Sequence, residues 1–254
     1  MLFRSGLVHG YGEHCSRYGH VAEAMNEAGA VVYAYDQRGY GRSDGSRAYV
    51  ETFDDYVDDL EHFLGYVDER SPDVPRFLFG HSMGGLVVLR YALTRAAEAA
   101  GLLLSAPAIE INPNLAPFLR KLARMIGDTF PRLPTVRSPE GAISRDPDVI
   151  EQAENDPLNY HGRVLARTGA EMIRAGEHAQ AHLSELTLPF FVFHGTADEL
   201  TSPSWSRRLH EEAAATDKTL ELYDGLYHET FNEPEKQQVL DDIRRWLSTR
   251  LDDG

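Results

Sequence analysis

Six short runs of apolar residues, distributed along a chain of 254 residues, constrain the fold more than any other feature. Most of these runs are continuously apolar, a pattern typical of strands that are buried on both faces of a parallel sheet. The runs predict strands over Phe3–His9, Ala30–Asp36, Arg76–Gly80, Gly101–Ser105, Pro189–His194 and Thr219–Tyr223. Amphipathic patterns between them predict helices over Tyr18–Ala28, Phe53–Glu69, Gly84–Ala99, Ser204–Thr216 and Glu235–Leu251. This alternation predicts an α/β fold with a doubly wound, mostly parallel sheet and a ligand site at the carboxyl ends of the strands.

The alternation is interrupted once, over residues 107–188. This stretch contains several prolines and short amphipathic pieces but no convincing strand. We therefore predict a helical cap or lid over residues 107–188, inserted into a core made of residues 1–106 and 189–254.

The first part of the insertion predicts an amphipathic helix over Asn114–Ile126. Its apolar residues recur at helical spacing and include Leu115, Phe118, Leu119 and Leu122. Basic residues lie elsewhere round the same helix, at Arg120, Lys121 and Arg124. We expect the four apolar residues to bind substrate and the helix to make transient contact with lipid surfaces. A helix that simply covers the sheet is the alternative.

Composition argues against several classes of function. The net charge is −15 and no basic stripe is present, so a nucleic-acid partner is not expected, because an acidic surface repels phosphates. Cys15 is the only cysteine, which excludes an intrachain disulfide and a cage of thiolate ligands round a metal ion. The N-terminal residues MLFRSGLVHGYG lack an apolar run of signal-peptide length, and no segment reaches the ~18 apolar residues of a membrane span. These features predict a cytoplasmic protein.

Two Gly-x-Ser-x-Gly motifs are present, and their surroundings separate them. Gly80–Gly84 follows a predicted strand and opens a predicted helix, the context in which a sharp turn lifts a serine hydroxyl clear of the backbone. Gly41–Gly45 lies in a polar, glycine-dense loop with no strand directly before it. Ser82 is therefore the predicted nucleophile, and Ser43 is not. The free N–H groups at the helix start make the amide of Met83 a predicted oxyanion donor.

A serine nucleophile needs a base, and the base needs a carboxylate that orients it. Asp198 and His228 each lie in the loop after a predicted strand, so both are predicted to meet Ser82 at one edge of the sheet. Asp224 and Glu199 are the rival acids. Asp224 precedes His228 by only four residues, which is too close for its carboxylate to reach round to the ring easily.

The second oxyanion donor is expected in the loop after the first strand, which contains His9, Gly10, Tyr11 and Gly12. We predict the backbone N–H of Tyr11 for this role and place its phenol in the pocket wall. His9 and His81 flank these loops and are interpreted as structural histidines.

These motifs together resemble the monoacylglycerol lipase and lysophospholipase branch of the α/β-hydrolases. The resemblance covers nearly the whole chain and rests on HGYGEHCSRYGHVAE, YAYDQRGYGRSDG, GHSMGG, SAPAI, SRDP, DPLNYHGRVLAR, HGTADELTSP and DKTLELYDGLYHETFNE. The order Ser82, Asp198, His228 is also the order that α/β-hydrolases use. The resemblance implies the α/β-hydrolase fold, a triad of these three residues, an oxyanion hole of the Tyr11 and Met83 amides, and no metal or organic cofactor.

The resemblance further implies hydrolysis of a carboxylic ester through an acyl-enzyme. Monoacylglycerols and similar small-molecule esters with one acyl chain are the expected substrates. A lysophospholipase, thioesterase, carbon–carbon hydrolase or aminopeptidase activity is the alternative, because a fold does not dictate a substrate. A non-catalytic ligand-binding protein of the hydrolase fold is a further alternative.

The chain departs from the family pattern at its N-terminal end. There the resemblance implies two further strands before the first strand predicted here. This sequence begins at MLFRSG, almost in the first predicted strand, so we expect either a clipped reading frame or a sheet with fewer strands. Ala30–Asp36 would then be an exposed edge strand that favours pairing with a second copy as a homodimer.

Overall fold

The computed structural model describes residues 3–72, 74–95, 98–112, 115–137 and 139–250. Its strands are β1 (Phe3–Val8), β2 (Ala30–Ala34), β3 (Arg76–His81), β4 (Gly101–Ser105), β5 (Phe190–Gly195) and β6 (Lys218–Tyr223). They form a six-stranded sheet in the order β2-β1-β3-β4-β5-β6, and every neighbouring pair is parallel. The predicted parallel sheet is confirmed, and the predicted strand ends differ from the observed ones by two residues at most.

Helices cover both faces of the sheet. They are α1 (Gly19–Glu27), α2 (Asp54–Arg70), α3 (Met83–Thr94), α4 (Pro117–Thr129), α5 (Pro147–Asn155), α6 (Ala166–His182), α7 (Pro203–Glu212) and α8 (Lys236–Thr249). Side chains alternate along β3, so Phe77 and Phe79 enter the core beneath α1 and α8, whereas Leu78 enters the core beneath α2 and α3. Two apolar cores, one on each face, make the fold doubly wound as predicted.

Two predicted helices extend too far at their C-terminal ends. α3 ends at Thr94 rather than Ala99, because Arg95 is already extended; residues 96 and 97 of that prediction lie outside the described ranges. α7 ends at Glu212 rather than Thr216. There the N–H of Ala215 donates to the carbonyl of Leu186 at 2.8 Å, a tertiary bond that no helical periodicity could indicate.

Helices α4, α5 and α6 lie between β4 and β5, where the sequence predicts the insertion. α4 packs closely on α6: a Cβ added to Gly127 would lie 2.5 Å from the Cβ of Ala170. α4 begins at Pro117, because proline fits the first helical position, so Leu115 precedes the helix. Residue 114, where that helix was predicted to begin, lies outside the described part of the chain.

Strand β2 forms one edge of the sheet and, among the described residues, pairs only with β1. Val31 of this strand is 40% exposed. The expectation of an edge at β2 is met in this sheet, and pairing with a second copy stays a prediction.

Candidate active site

Ser82 forms a sharp junction between β3, which ends at His81, and α3, which begins at Met83. Its φ of +52° and ψ of −117° are strained for a residue with a side chain, and such strain costs roughly 1–3 kcal/mol. Three backbone bonds hold the junction: the N–H of Ser82 donates to the carbonyl of Ser105 at 2.9 Å, and its own carbonyl accepts the N–H groups of Leu86 and Ala108, each at 3.0 Å. The serine is half-buried between fully buried neighbours.

The glycines of the motif permit the close packing that the junction requires. A Cβ on Gly84 would lie 2.2 Å from the carbonyl oxygen of Val8, and one on Gly80 would lie 2.5 Å from that of Gly84. The other Gly-x-Ser-x-Gly motif has no such geometry. Its Ser43 lies in a loop and donates its hydroxyl to the carbonyl of Asp36 at 2.5 Å.

Asp198 and His228, predicted from separate loops, are in contact. Nδ1 of His228 lies 2.6 Å from Oδ2 of Asp198, and both side chains are buried. The other carboxylate oxygen, Oδ1, accepts the backbone N–H groups of Leu200 at 2.7 Å and Thr201 at 3.0 Å. The ring of His228 also packs 4.7 Å from that of His81, which immediately precedes the serine of the elbow.

The electrostatics of this pair favour an ionised carboxylate beside a basic imidazole. Burial works against the charge on Asp198, but the imidazoles of His228 and His194 outweigh it and lower the pKa of the carboxyl far below its usual range. Burial likewise works against a charged His228, yet the Asp198 carboxylate outweighs it and raises the pKa of the imidazole above 6.5. A raised pKa makes His228 a stronger base than a free histidine.

The rival acids lie apart from the ring nitrogen that Asp198 contacts. Asp224 accepts the hydroxyl of Thr196 at 3.2 Å on the protein surface. Glu199, next to Asp198, has an exposed side chain.

The loop after β1 lies directly beside the elbow. A Cβ added to Gly10 would lie 3.3 Å from the Cβ of Ser82. The N–H of Gly10 donates to Oε1 of Glu13 at 2.7 Å, so this amide is occupied and the next one along, at Tyr11, is the candidate to face the serine. Met83 is the first residue of α3, and N–H groups in the first helical turn have no intrahelical acceptor.

A buried ion-pair network that was not predicted from the sequence adjoins this loop. Arg17 donates to both carboxylate oxygens of Glu229 at 2.8 Å and to Oε2 of Glu13 at 2.7 Å. The network therefore ties the loop after β1 to the residue that follows His228. The four-residue spacing of Glu13 and Arg17 was the local signal, whereas Glu229 lies 212 positions from Arg17 and no local pattern indicates that contact.

Burial and charge oppose each other in this network. Burial alone would lower the pKa of Arg17, but the Glu229 and Glu13 carboxylates outweigh it and raise that pKa. Burial raises the pKa of Glu13, and the Arg17 guanidinium opposes this rise. Removal of the arginine would leave two carboxylates buried together.

His9 and His81 are both buried and hydrogen-bonded, as expected for structural residues. Nε2 of His9 accepts the N–H of Gln37 at 2.9 Å, and burial lowers the pKa of His9 to about 4. Nδ1 of His81 lies 3.1 Å from the hydroxyl of Ser105, and burial lowers its pKa as well. Among the described residues, no group of three or more histidine, cysteine or acidic side chains is arranged to hold a metal ion.

A cavity of about 790 Å³ joins the elbow to the helices between β4 and β5. At the sheet it is bounded by Gly10, Tyr11, Ser82, His228 and Glu229. Between α4 and α6 its wall is apolar and includes Leu115, Leu119, Leu122, Ala123, Ile126, Ala170 and Ile173.

The prediction that Phe118 lines the pocket is not matched by its position. Phe118 is 70% exposed and is not part of the cavity wall. Like Met125, which lies seven residues later and is 57% exposed, it lies outside the cavity wall. Helical spacing alone could not separate the inward side of this helix from the outward one.

The comparisons with known proteins cover nearly the whole chain. The family model described as "Serine aminopeptidase, S33" matches residues 6–235. A monoacylglycerol lipase of Mycolicibacterium smegmatis is 38% identical over 96% of this chain and 88% of its own. A caffeoylshikimate esterase of Arabidopsis thaliana is 34% identical over 96% of this chain and 77% of its own.

Solved structures agree with this match. The crystal structure of a monoacylglycerol lipase of Paleococcus ferrophilus superposes with a TM-score of 0.88 at 35% identity, over 97% of this chain and 94% of that one. The parallel sheet with flanking helices is therefore an α/β-hydrolase fold. The chain belongs to the serine aminopeptidase S33 family of hydrolases, within the branch that contains the monoacylglycerol lipases.

Proposed function

We propose that this protein is a serine hydrolase of carboxylic esters that carry one acyl chain, such as monoacylglycerols. A single observation carries the proposal: one cavity contains the strained elbow serine, the Asp198-bound His228 and an apolar channel between two helices. The related lipases named above support the same reaction class.

In the proposed mechanism His228 removes the proton of Ser82 as its oxygen attacks the ester carbonyl. The oxyanion that forms accepts the N–H groups of Met83 and Tyr11. Collapse of this intermediate breaks the bond to the alcohol, which leaves with the proton from His228. Water, activated by the same histidine, then releases the fatty acid and restores the serine. Asp198 stabilises the imidazolium throughout.

We propose that residues 107–188 form a lid over the core of residues 1–106 and 189–254, and that the lid sets acyl-chain selectivity. Leu115, Leu119 and Leu122 contribute to an apolar wall that suits an alkyl chain. Ala123 keeps the channel open because its side chain is small.

Kinetics on p-nitrophenyl esters and monoacylglycerols of graded chain length test this proposal. We expect turnover of monoacyl esters, and we expect Ala123→Phe to lower kcat/KM for long acyl chains while it spares short ones. Met125→Phe, on the exposed side of the same helix, is the matched control and should leave the chain-length profile unchanged. Absence of turnover on every ester would refute the function; an unchanged profile in Ala123→Phe would refute only the acyl channel.

The pH dependence of kcat/KM should report His228. The imidazole acts as a base only when neutral, and its pKa is raised, so activity should fall on acidification through an apparent pKa above 6.5. The pKa values of the buried His9, His81 and His194 are lowered, so none of these three would produce such a limb. A rate–pH profile that is flat from pH 5 to pH 8 would contradict the role of His228.

The relatives also include a caffeoylshikimate esterase, so the comparisons alone do not specify the alcohol that leaves. For an aminopeptidase activity, carboxylates near the serine would have to bind the substrate ammonium. Glu13 and Glu229 line the cavity, but both are bound to Arg17. Their engagement favours esters over peptides with a free amino terminus.

We further propose that the outward side of the lid contacts lipid surfaces. No helix of the described chain is long and apolar enough to cross a membrane. Exposed apolar side chains nevertheless cluster on and after α4, where Met125 is 57% and Phe130 61% exposed. On the same helix Lys121 is exposed and supplies positive charge, whereas Arg120 and Arg124 are each paired with a carboxylate. The expected partner surface is anionic lipid.

Vesicle sedimentation tests this contact. Met125→Ser/Phe130→Ser should lower binding to vesicles that contain phosphatidylserine, because two exposed apolar anchors are lost. Hydrolysis of a water-soluble ester should be unaffected. Tyr66→Ser removes an exposed aromatic residue from α2 and is the matched control. Equal vesicle binding by the unmodified protein, the double variant and Tyr66→Ser would contradict lipid contact.

Cytoplasmic placement stays a prediction, supported by the single cysteine.

A further inference from the structure

The Asp198 carboxylate contacts a second histidine besides His228. His194, near the end of β5, places Nε2 2.9 Å from Oδ2 of Asp198, the same oxygen that His228 contacts. The other ring nitrogen of His194, Nδ1, lies 2.7 Å from the hydroxyl of Ser206 on α7. The side chains of His194 and Asp198 are fully buried, so water does not compete for these bonds.

The positions of the protons follow from the partners. An ionised carboxylate only accepts, so Nε2 of His194 carries a proton and donates it to Asp198. Burial lowers the pKa of His194 in spite of this hydrogen bond, so the ring is neutral and its Nδ1 accepts from Ser206. His228 contacts the carboxylate through Nδ1 instead, which leaves its Nε2 for the nucleophile. The two histidines therefore bind one oxygen through opposite ring nitrogens.

We propose that His194 is a positioning residue, which holds Oδ2 of Asp198 in place and takes up part of its negative charge, with Ser206 fixing the tautomer. The inference rests on the proposed function, because Asp198 orients a base only if the protein is a hydrolase. In a dry site each additional donor leaves less carboxylate charge for the next partner, and linked hydrogen bonds polarise one another. His194 thereby limits how strongly Asp198 stabilises the imidazolium of His228.

The pH profile of kcat/KM separates this role from simple packing. In His194→Leu the carboxylate loses a donor and stabilises charged His228 more, so the acidic limb should move to higher pH by about one unit. The backbone N–H groups of Leu200 and Thr201 still hold Oδ1, and the Thr201 hydroxyl still donates to Oδ2 at 2.8 Å, so the alkaline plateau should fall by no more than about tenfold. His194→Gln can still donate an N–H, so the acidic limb of its kcat/KM profile should lie at the same pH as in the unmodified protein.

Other titratable groups face the same pair and are unaltered in these variants. The ring of His81 packs on His228, and the Glu229 and Glu13 carboxylates of the ion-pair network act on its imidazole electrostatically. A shift of the limb in His194→Leu is therefore attributable to the lost donor.

Two further variants keep the test decisive. Ser206→Ala removes the hydroxyl that polarises His194 and should shift the limb in the same direction by a smaller amount, even if His194→Leu fails to fold. Phe193→Leu, a buried neighbour on β5, should lower thermal stability without moving the limb. An unmoved limb in Ser206→Ala and in folded His194→Leu overturns the proposal. Failure of the unmodified protein to hydrolyse esters would instead overturn the proposed function.

Discussion

Ser82→Ala is expected to lower kcat on ester substrates on the order of a million-fold and to abolish labelling by a fluorophosphonate probe. The substitution removes the oxygen that would carry the acyl group. The cavity wall and the backbone of the elbow are otherwise preserved, so substrate should still bind. Active-site titration, steady-state kinetics and intact-mass measurement after labelling check the result.

Ser43→Ala is the matched control, since it alters the other Gly-x-Ser-x-Gly motif. Its hydroxyl is bound to the carbonyl of Asp36 in a loop, so we expect a stability loss of about 1 kcal/mol and nearly unchanged kinetics. Labelling that persists in Ser82→Ala and disappears in Ser43→Ala would show that the nucleophile is Ser43 and not Ser82.

Asp198→Asn is expected to lower kcat by about ten-thousand-fold at neutral pH. The carboxylate accepts the proton on Nδ1 of His228 at 2.6 Å, whereas an amide nitrogen placed there would favour the tautomer whose Nε2 carries the proton. Such an imidazole cannot take the proton of Ser82. The substitution also removes the charge that raises the pKa of His228, so the remaining activity should extend to lower pH.

The rival acids supply the controls for this prediction. Asp224→Asn and Glu199→Gln alter carboxylates on the surface of the same region. Both variants should keep kcat within about twofold, because exposed charges at a distance are screened by solvent. A larger loss in Asp224→Asn than in Asp198→Asn would reassign the acid.

Local pattern indicated the central strands β3, β4 and β5 because strands buried on both faces are mostly apolar. The run at Gly101–Ser105 matches β4 residue for residue. The predicted ends of α3 and α7 were wrong. After α7 the chain forms a tertiary bond instead, from the N–H of Ala215 to the carbonyl of Leu186. Such bonds leave no trace in helical periodicity.

The candidate site divides in the same way. Ser82 is recognisable because the strained turn requires glycines at fixed offsets, and a strand and helix flank it. Phe118 recurs at the same helical spacing as the residues that line the cavity, yet its side chain is 70% exposed and lies outside the cavity wall. Which side of an amphipathic helix faces inward depends on the neighbour, and no local property encodes it.

By itself, the order of residues determines the strands, the elbow and the loops that supply an acid and a histidine, since each depends on periodicity or on short fixed spacing. The folded molecule alone decides that Arg17 joins Glu229, that His194 shares the carboxylate of Asp198 and that an apolar channel opens above the serine. Apart from His194 and Asp198, which are four residues apart, these contacts join elements remote in the chain. The strength of such contacts depends on burial and on interatomic distances that are correct to within a few tenths of an ångström. Both are established only when the chain has packed.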